Sequence, residues 1–150
     1  MKNTIGIRLE DKNRWERRVP LTPDQVADLI RQNNIRFIVQ PSPIRAFDND
    51  DYVAAGALVQ DDLDSADVIL AIKEVPLDFL QPGKTYVFFS HTIKGQPHNM
   101  PLLQRLLDLK CQLIDYERIV DNKNRRLIAF GRHAGLAGMI DTLHVLGQRL

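Results

Sequence analysis

Short apolar runs alternate with helix-patterned stretches along almost the whole chain, and few architectures accept that alternation. "TIGIRL" (4–9), "RFIVQ" (36–40), "DVILAI" (67–72), "TYVFFS" (85–90) and "CQLIDY" (111–116) read as strands, with the near-continuous apolar character of a sheet covered on both faces. Helical signals lie between them. "TPDQVADLIRQNN" offers Thr22 as N-cap, Pro23 at the first helical position, Asp24 in the first turn, and Val26, Leu29 and Ile30 at helical spacing. "DNDDYVAAGA" reads as a short helix ended by Gly56, "PHNMPLLQRLLDLK" as a longer one, and "GRHAGLAGMIDTLHVLGQRL" as one that runs to the last residue. The alternation predicts a three-layer α/β sandwich with a mostly parallel central sheet. "DYERIVDNKNRRLIAF" breaks the pattern, and its polar centre predicts a hairpin near 115–130.

A chain of 150 residues is long enough for one domain with a real core. Its 20 Lys and Arg against 19 Asp and Glu leave no overall field to attract nucleic acid or an anionic membrane, so any cationic site must be local. The single cysteine, Cys111, cannot form an internal disulfide, which fits a reducing compartment, read here as the cytoplasm. No signal-peptide core or membrane-length apolar window is present. The final apolar-striped helix has no stop signal at Leu150, so the chain is expected to continue in a longer parent protein.

"KNRWERRVPLTPDQV" (12–26) carries six charged side chains in a strand-to-helix loop, and ligands of α/β sheets sit at such loops. "FGRHAGLAG" places Gly131, Gly135 and Gly138 at a helix start after the strand-like "RLIAF". Its spacing is not the G-x-G-x-x-G of a dinucleotide site, and no second strand can follow it here. Close packing of this small-residue helix against another element is the expected use of the run. His91, His98, His133 and His144 are too scattered for a zinc site, and no metal is expected. Ser90 adjoins His91, but strand neighbours point to opposite faces, so a nucleophile–base pair is not expected. Lys73 and Glu74 end one predicted strand, and His91 with Lys94 follows another. Taken singly, each looks like a solvated strand-end residue. Together they offer an amine and an imidazole suited to proton transfer around a carbonyl or imine.

"EDKNRWERRVPLTP", "IKEVP", "FFSHTIKGQPHNMPLLQ", "LIDYERIVD" and "RRLIAFGRHAGLAGMIDTLH" together resemble the amino-terminal lobe of lysine-ketoglutarate reductase and lysine-forming saccharopine dehydrogenase. These enzymes belong to the alanine dehydrogenase and pyridine nucleotide transhydrogenase superfamily. The resemblance implies a flavodoxin-like lobe of the alanine dehydrogenase N-terminal-domain type, with 1–150 as a single substrate-binding lobe. A Rossmann lobe that binds NADP or NAD would follow Leu150. It implies interconversion of saccharopine with lysine and 2-oxoglutarate, with those molecules and the Rossmann lobe as partners. Lys73 and His91 would be the acid–base pair. Glu74 and Glu117 would adjust their basicity, and Arg18, Lys94 and Arg126 would bind substrate carboxylates, all four cations converging on one cleft. Trp15 and Arg17 are expected to serve packing and solvation. Two other readings stay open: a lobe of an alanine dehydrogenase or transhydrogenase, and a free-standing non-enzymatic α/β binding module.

Overall fold

A computed structural model describes residues 3–149. Up to Tyr116 the chain forms one compact unit, and from Glu117 onward a second. In the first unit, six strands form a single parallel sheet: β1 (Thr4–Ile7), β2 (Arg36–Val39), β3 (Leu58–Val59), β4 (Val68–Leu70), β5 (Thr85–Phe88) and β6 (Gln112–Asp115). Their order across the sheet is β3-β2-β1-β4-β5-β6. The five strands expected from sequence therefore lie in the 2-1-3-4-5 order of flavodoxin-like folds, and β3 extends that sheet at one edge. Sequence patterning missed β3 because two residues are too few to show a period.

Helix α1 (Pro23–Asn33) starts where its signals put it. Thr22 and Gln25 complete a reciprocal capping box, and Asn34 closes the helix in the left-handed region at φ 52°. Together with α2 (Asn49–Ala54), it covers one face of the sheet. There Val26 and Tyr52 pack with Ile7, Phe37 and Val39, and the Tyr52 hydroxyl donates to the Leu21 carbonyl at 2.8 Å. On the opposite face α3 (Met100–Asp108) brings Leu102 and Leu106 onto Ile38, Ile69, Tyr86 and Phe88. Placing helices on both faces is what right-handed crossovers require when strands are added first to one side of β1 and then to the other. Between β4 and β5, the proline-containing connection makes only a 3₁₀ turn, Leu77–Phe79.

The second unit holds a short antiparallel bridge, Val120 to Arg126, and α4 (Gly131–Arg149). The bridge closes the expected hairpin. Asp121 accepts the backbone N–H groups of Lys123 and Arg125, and Asn124 turns at φ 59°. Two expectations fail here. "RLIAF" is not a strand, since only Arg126 finds a ladder partner. Among the described residues, nothing stands within 4 Å of where a Cβ would sit on Gly131, Gly135 or Gly138, so these glycines do not serve close packing in this chain.

One glycine does serve close approach. A Cβ on Gly6, in the central strand, would stand 3.1 Å from Ala66 Cβ and 3.3 Å from both Leu63 methyls. Gly6→Val should overpack that contact and cost about 1–3 kcal/mol, read as a lower urea midpoint; an unchanged midpoint would show that this side of β1 is loosely packed.

Candidate active site

Between β1 and β4 the strand order changes direction, which leaves a crevice outside the carboxyl ends of the two strands. The segments that leave β1, β4 and β5 carry the titratable groups. Out of β1, the Arg8 backbone N–H donates to the Leu70 carbonyl at 2.9 Å, so the chain follows the exit of β4. The Arg8 guanidinium grips Asp11 through two nitrogens and lies 4.8 Å over the ring of Phe79. Two residues on, Glu10 is buried, and its carboxylate oxygens accept the backbone N–H of Ile72 at 2.6 Å and of Lys73 at 3.1 Å. Burial raises the Glu10 pKa, helped by the like charge on Glu16 and opposed by those two N–H donors and Arg8.

Further along the same loop, Glu16 accepts from Arg18 Nε at 2.7 Å and Nη2 at 2.5 Å, a fork-to-fork pair. The Lys73 ammonium lies 4.0 Å from Glu16 Oε2. The Arg18 hydrogen bonds hold the Glu16 carboxyl below its ordinary range against the effect of burial, and the same pair raises Arg18. Arg18, Glu16, Lys73 and Glu10 thus form one connected group.

A second group adjoins it. Glu74 accepts from the Lys12 ammonium at 2.5 Å. Burial pushes Glu74 up, but the Lys12 hydrogen bond, its own backbone N–H and the charges of Lys12 and His91 bring it below its ordinary value. His91 takes the left-handed conformation at φ 55°, and its Nδ1 lies 3.2 Å from Lys94 Nζ. Beneath it Ser90 is fully buried, donates to Asp115 Oδ2 at 2.5 Å and shares a hydrogen bond with Thr92 at 2.8 Å. These bonds anchor the end of β5 while His91 stays half-buried beside the crevice.

The first unit therefore brings Arg18, Lys73, Glu74, His91 and Lys94 to the ends of β1, β4 and β5. Arg126 and Glu117 belong to the second unit, where Arg126 Nη1 lies 3.1 Å from Glu117 Oε1. Trp15 does not pack: it is 74% exposed, with the Arg14 guanidinium 4.2 Å over its ring. Sequence reasoning missed Lys12, Glu10 and Glu16 as members of the site. No local signal could have found Glu10, because the N–H groups it accepts, those of Ile72 and Lys73, lie 62 and 63 residues along the chain.

The glycine run does not fit a dinucleotide: Gly131, Gly135 and Gly138 open α4 without a preceding strand, so this run forms no strand-to-helix turn to cradle a pyrophosphate. Among the described residues no group of three His, Cys, Asp or Glu is placed to hold a metal ion, and no helix is long and apolar enough to cross a membrane.

Residues 6–137 match the family described as alanine dehydrogenase/PNT, N-terminal domain. The chain is 46% identical to a bovine mitochondrial alpha-aminoadipic semialdehyde synthase (Bos taurus) over 149 residues, which cover 99% of this chain and 16% of that protein. It is 35% identical to a Neurospora crassa saccharopine dehydrogenase [NAD(+), L-lysine-forming] over 151 residues, covering 97% of this chain and 40% of the relative. Among solved structures, an L-alanine dehydrogenase superposes with a TM-score of 0.68 at 23% identity over 81% of this chain and 34% of its own, a likeness of fold.

The pairing of Arg18 with Glu16 has a pH signature. Because the folded-state value of Glu16 is lowered, the stability it contributes is present above its ordinary value of 4.5 and is lost as pH falls through the folded value. Glu16→Gln should unfold at lower urea than the wild type at pH 7, and the two midpoints should converge in acid. A gap undiminished well below the ordinary value would mean that the ion pair contributes nothing.

Proposed function

We propose that this chain, which belongs to the alanine dehydrogenase/PNT N-terminal domain family, is the substrate-binding and acid–base lobe of an NAD(P)-dependent oxidoreductase that interconverts saccharopine with lysine and 2-oxoglutarate. The observation that carries the reading is the Lys73 ammonium 4.0 Å from a Glu16 carboxylate clamped by Arg18, beside a Glu74 that feels the charge of His91. Similarity to proteins named for saccharopine and aminoadipic semialdehyde chemistry supports it.

Condensing the ε-amine of lysine with a 2-oxo acid moves protons onto the carbonyl oxygen and off the amine nitrogen, and the reverse direction moves them back. Lys73, with Glu16 as a fixed counter-charge, serves imine formation and hydrolysis. His91 serves the nitrogen of the secondary amine, and Glu74 adjusts its basicity. Arg18 is 40% exposed, so a substrate carboxylate can approach it from the solvent side while Glu16 holds the other edge of the guanidinium. Lys94 adds a positive charge beside His91. For Arg126 as a carboxylate binder and Glu117 as a group that adjusts basicity, the roles rest on the family resemblance. The hydride donor, NADP or NAD, belongs to a Rossmann lobe elsewhere in the parent protein, so the 150 residues alone do not turn over. Cys111 keeps a thiol that donates to the Gln81 carbonyl at 3.1 Å, and we place the protein in a reducing compartment, the cytoplasm; the bovine relative is named mitochondrial.

In the full-length parent, Lys73→Met and His91→Gln should each lower turnover by about 10²-fold or more, with a smaller effect on substrate binding. Wild-type turnover and an unshifted pH profile in both variants would end the assignment.

The alanine dehydrogenase reading is separated by carboxylate count, since saccharopine carries more carboxylates than alanine or pyruvate and needs more cations. Arg18→Ala should raise the KM for saccharopine or 2-oxoglutarate and change that for the nucleotide less. An unchanged KM for the acid substrates would favour the alanine dehydrogenase reading.

A further inference from the structure

We propose that Glu10 is the residue that positions Lys73: by accepting the two successive backbone N–H groups of Ile72 and Lys73, its carboxylate bends the chain out of β4 and directs the lysine side chain toward Glu16. The proposal rests on the reading of Lys73 as an acid–base group. In an extended strand, successive N–H groups point to opposite sides. Ile72 and Lys73 instead both donate to one carboxylate, at 2.6 and 3.1 Å, and the backbone bends at those residues. On the β5 side Ala71 still donates to Val87 and the Ile72 carbonyl still accepts from Phe89, so Glu10 takes the N–H groups of Ile72 and Lys73 at the very end of the ladder.

A carboxylate suits this position because both of its oxygens accept. Glutamine has the same shape but would set an amide NH₂ against one of the two N–H groups, leaving a buried donor without an acceptor. Aspartate keeps the charge and is one methylene too short to reach both. Glu10 is 7% exposed, and its charge is felt on several sides. Arg8 stands on its own segment, Glu16 and Arg18 on the loop before α1, Arg45 after β2 and Tyr116 after β6. Tyr116 is pushed up to about 12, chiefly by burial, and stays neutral at working pH. The carboxylate therefore holds geometry and also adds negative charge behind the Lys73 backbone.

The test compares Lys73→Met, Glu10→Gln and Glu10→Asp in the full-length enzyme, by kcat, KM and the kcat–pH profile, with hydrogen exchange of the wild-type amides at 72 and 73. Both Glu10 variants should lose about 10²-fold in kcat, as a misplaced catalytic group does, with little change in KM. The profile should change in Glu10→Gln, which alters the placement of the acid–base lysine, and should change less in Glu10→Asp. The wild-type amides at 72 and 73 should exchange slowly although they lie past the end of β4. Fast exchange of these amides overturns the proposal even if neither variant folds. So does a loss of thermal stability in the Glu10 variants without any change in kcat or profile. An impaired Lys73→Met beside an unimpaired Glu10→Gln removes the positioning role alone, whereas wild-type turnover in Lys73→Met removes the functional reading and the positioning role together.

Discussion

β1 hydrogen-bonds to β2 on one side and to β4 on the other, all in parallel, and this central pairing imposes the rest of the first unit. Parallel neighbours cannot be joined by tight turns, so each connection crosses a face of the sheet. With a fixed hand of crossover, growth to the two sides of β1 puts α1 and α2 on one face and α3 on the other. Both faces become buried, which is why the strands read as near-continuous apolar runs. The same reversal sets the carboxyl ends of β1 and β4 side by side at the crevice, and their outgoing segments are tied together through Arg8 and Glu10. Chemistry gathers there because the sheet supplies a rigid base while the loops, free of ladder constraints, carry charge.

The charges in that crevice are interleaved, and each is held by another. Arg18 holds Glu16, which faces Lys73; Lys12 holds Glu74, which feels His91. The directions of the shifts follow this arrangement. Glu16 and Glu74 are lowered because donors outweigh their burial, whereas Glu10 is raised because its burial outweighs two backbone donors. The three carboxylates differ in setting: Glu16 and Glu74 face cations, and Glu10 sits behind the backbone of the lysine. This agrees with the proposed function, in which the site binds acidic substrates and moves protons at a basic nitrogen.

Family membership and the crevice geometry support one another, though they bear on different matters. The family match covers 6–137, and the likeness to an alanine dehydrogenase structure concerns fold. The proposed saccharopine chemistry draws on similarity to proteins named for it and on local features, chiefly a lysine and a histidine on neighbouring strand ends and an arginine clamped by a carboxylate. The chain spans 16% of the bovine relative and 40% of the fungal one, so its chemistry is that of a part.

Where the determining interactions are local, the sequence was enough. The start of α1 is readable because Thr22, Pro23 and Asp24 lie together at the cap and first turn of one helix, and the alternation of runs predicts the layers because burial acts on each segment separately. Lys73 and His91 were legible as strand-end residues for the same reason. Glu10 and Glu16 were not, since their meaning depends on partners some sixty residues away in the chain: Glu10 and Ile72 are 62 apart, and no local pattern records that their strands lie side by side. β3 escaped because two residues carry no period, and the glycines of 131–138 misled because small residues signal close packing only when a partner is present. The sequence by itself determined the helices and the five longer strands, and which side chains stand at their ends. Only the tertiary structure decided which of those ends meet, because parallel pairing joins strands distant in sequence, and from that meeting come the clamped Glu16, the buried Glu10 and the direction in which Lys73 points.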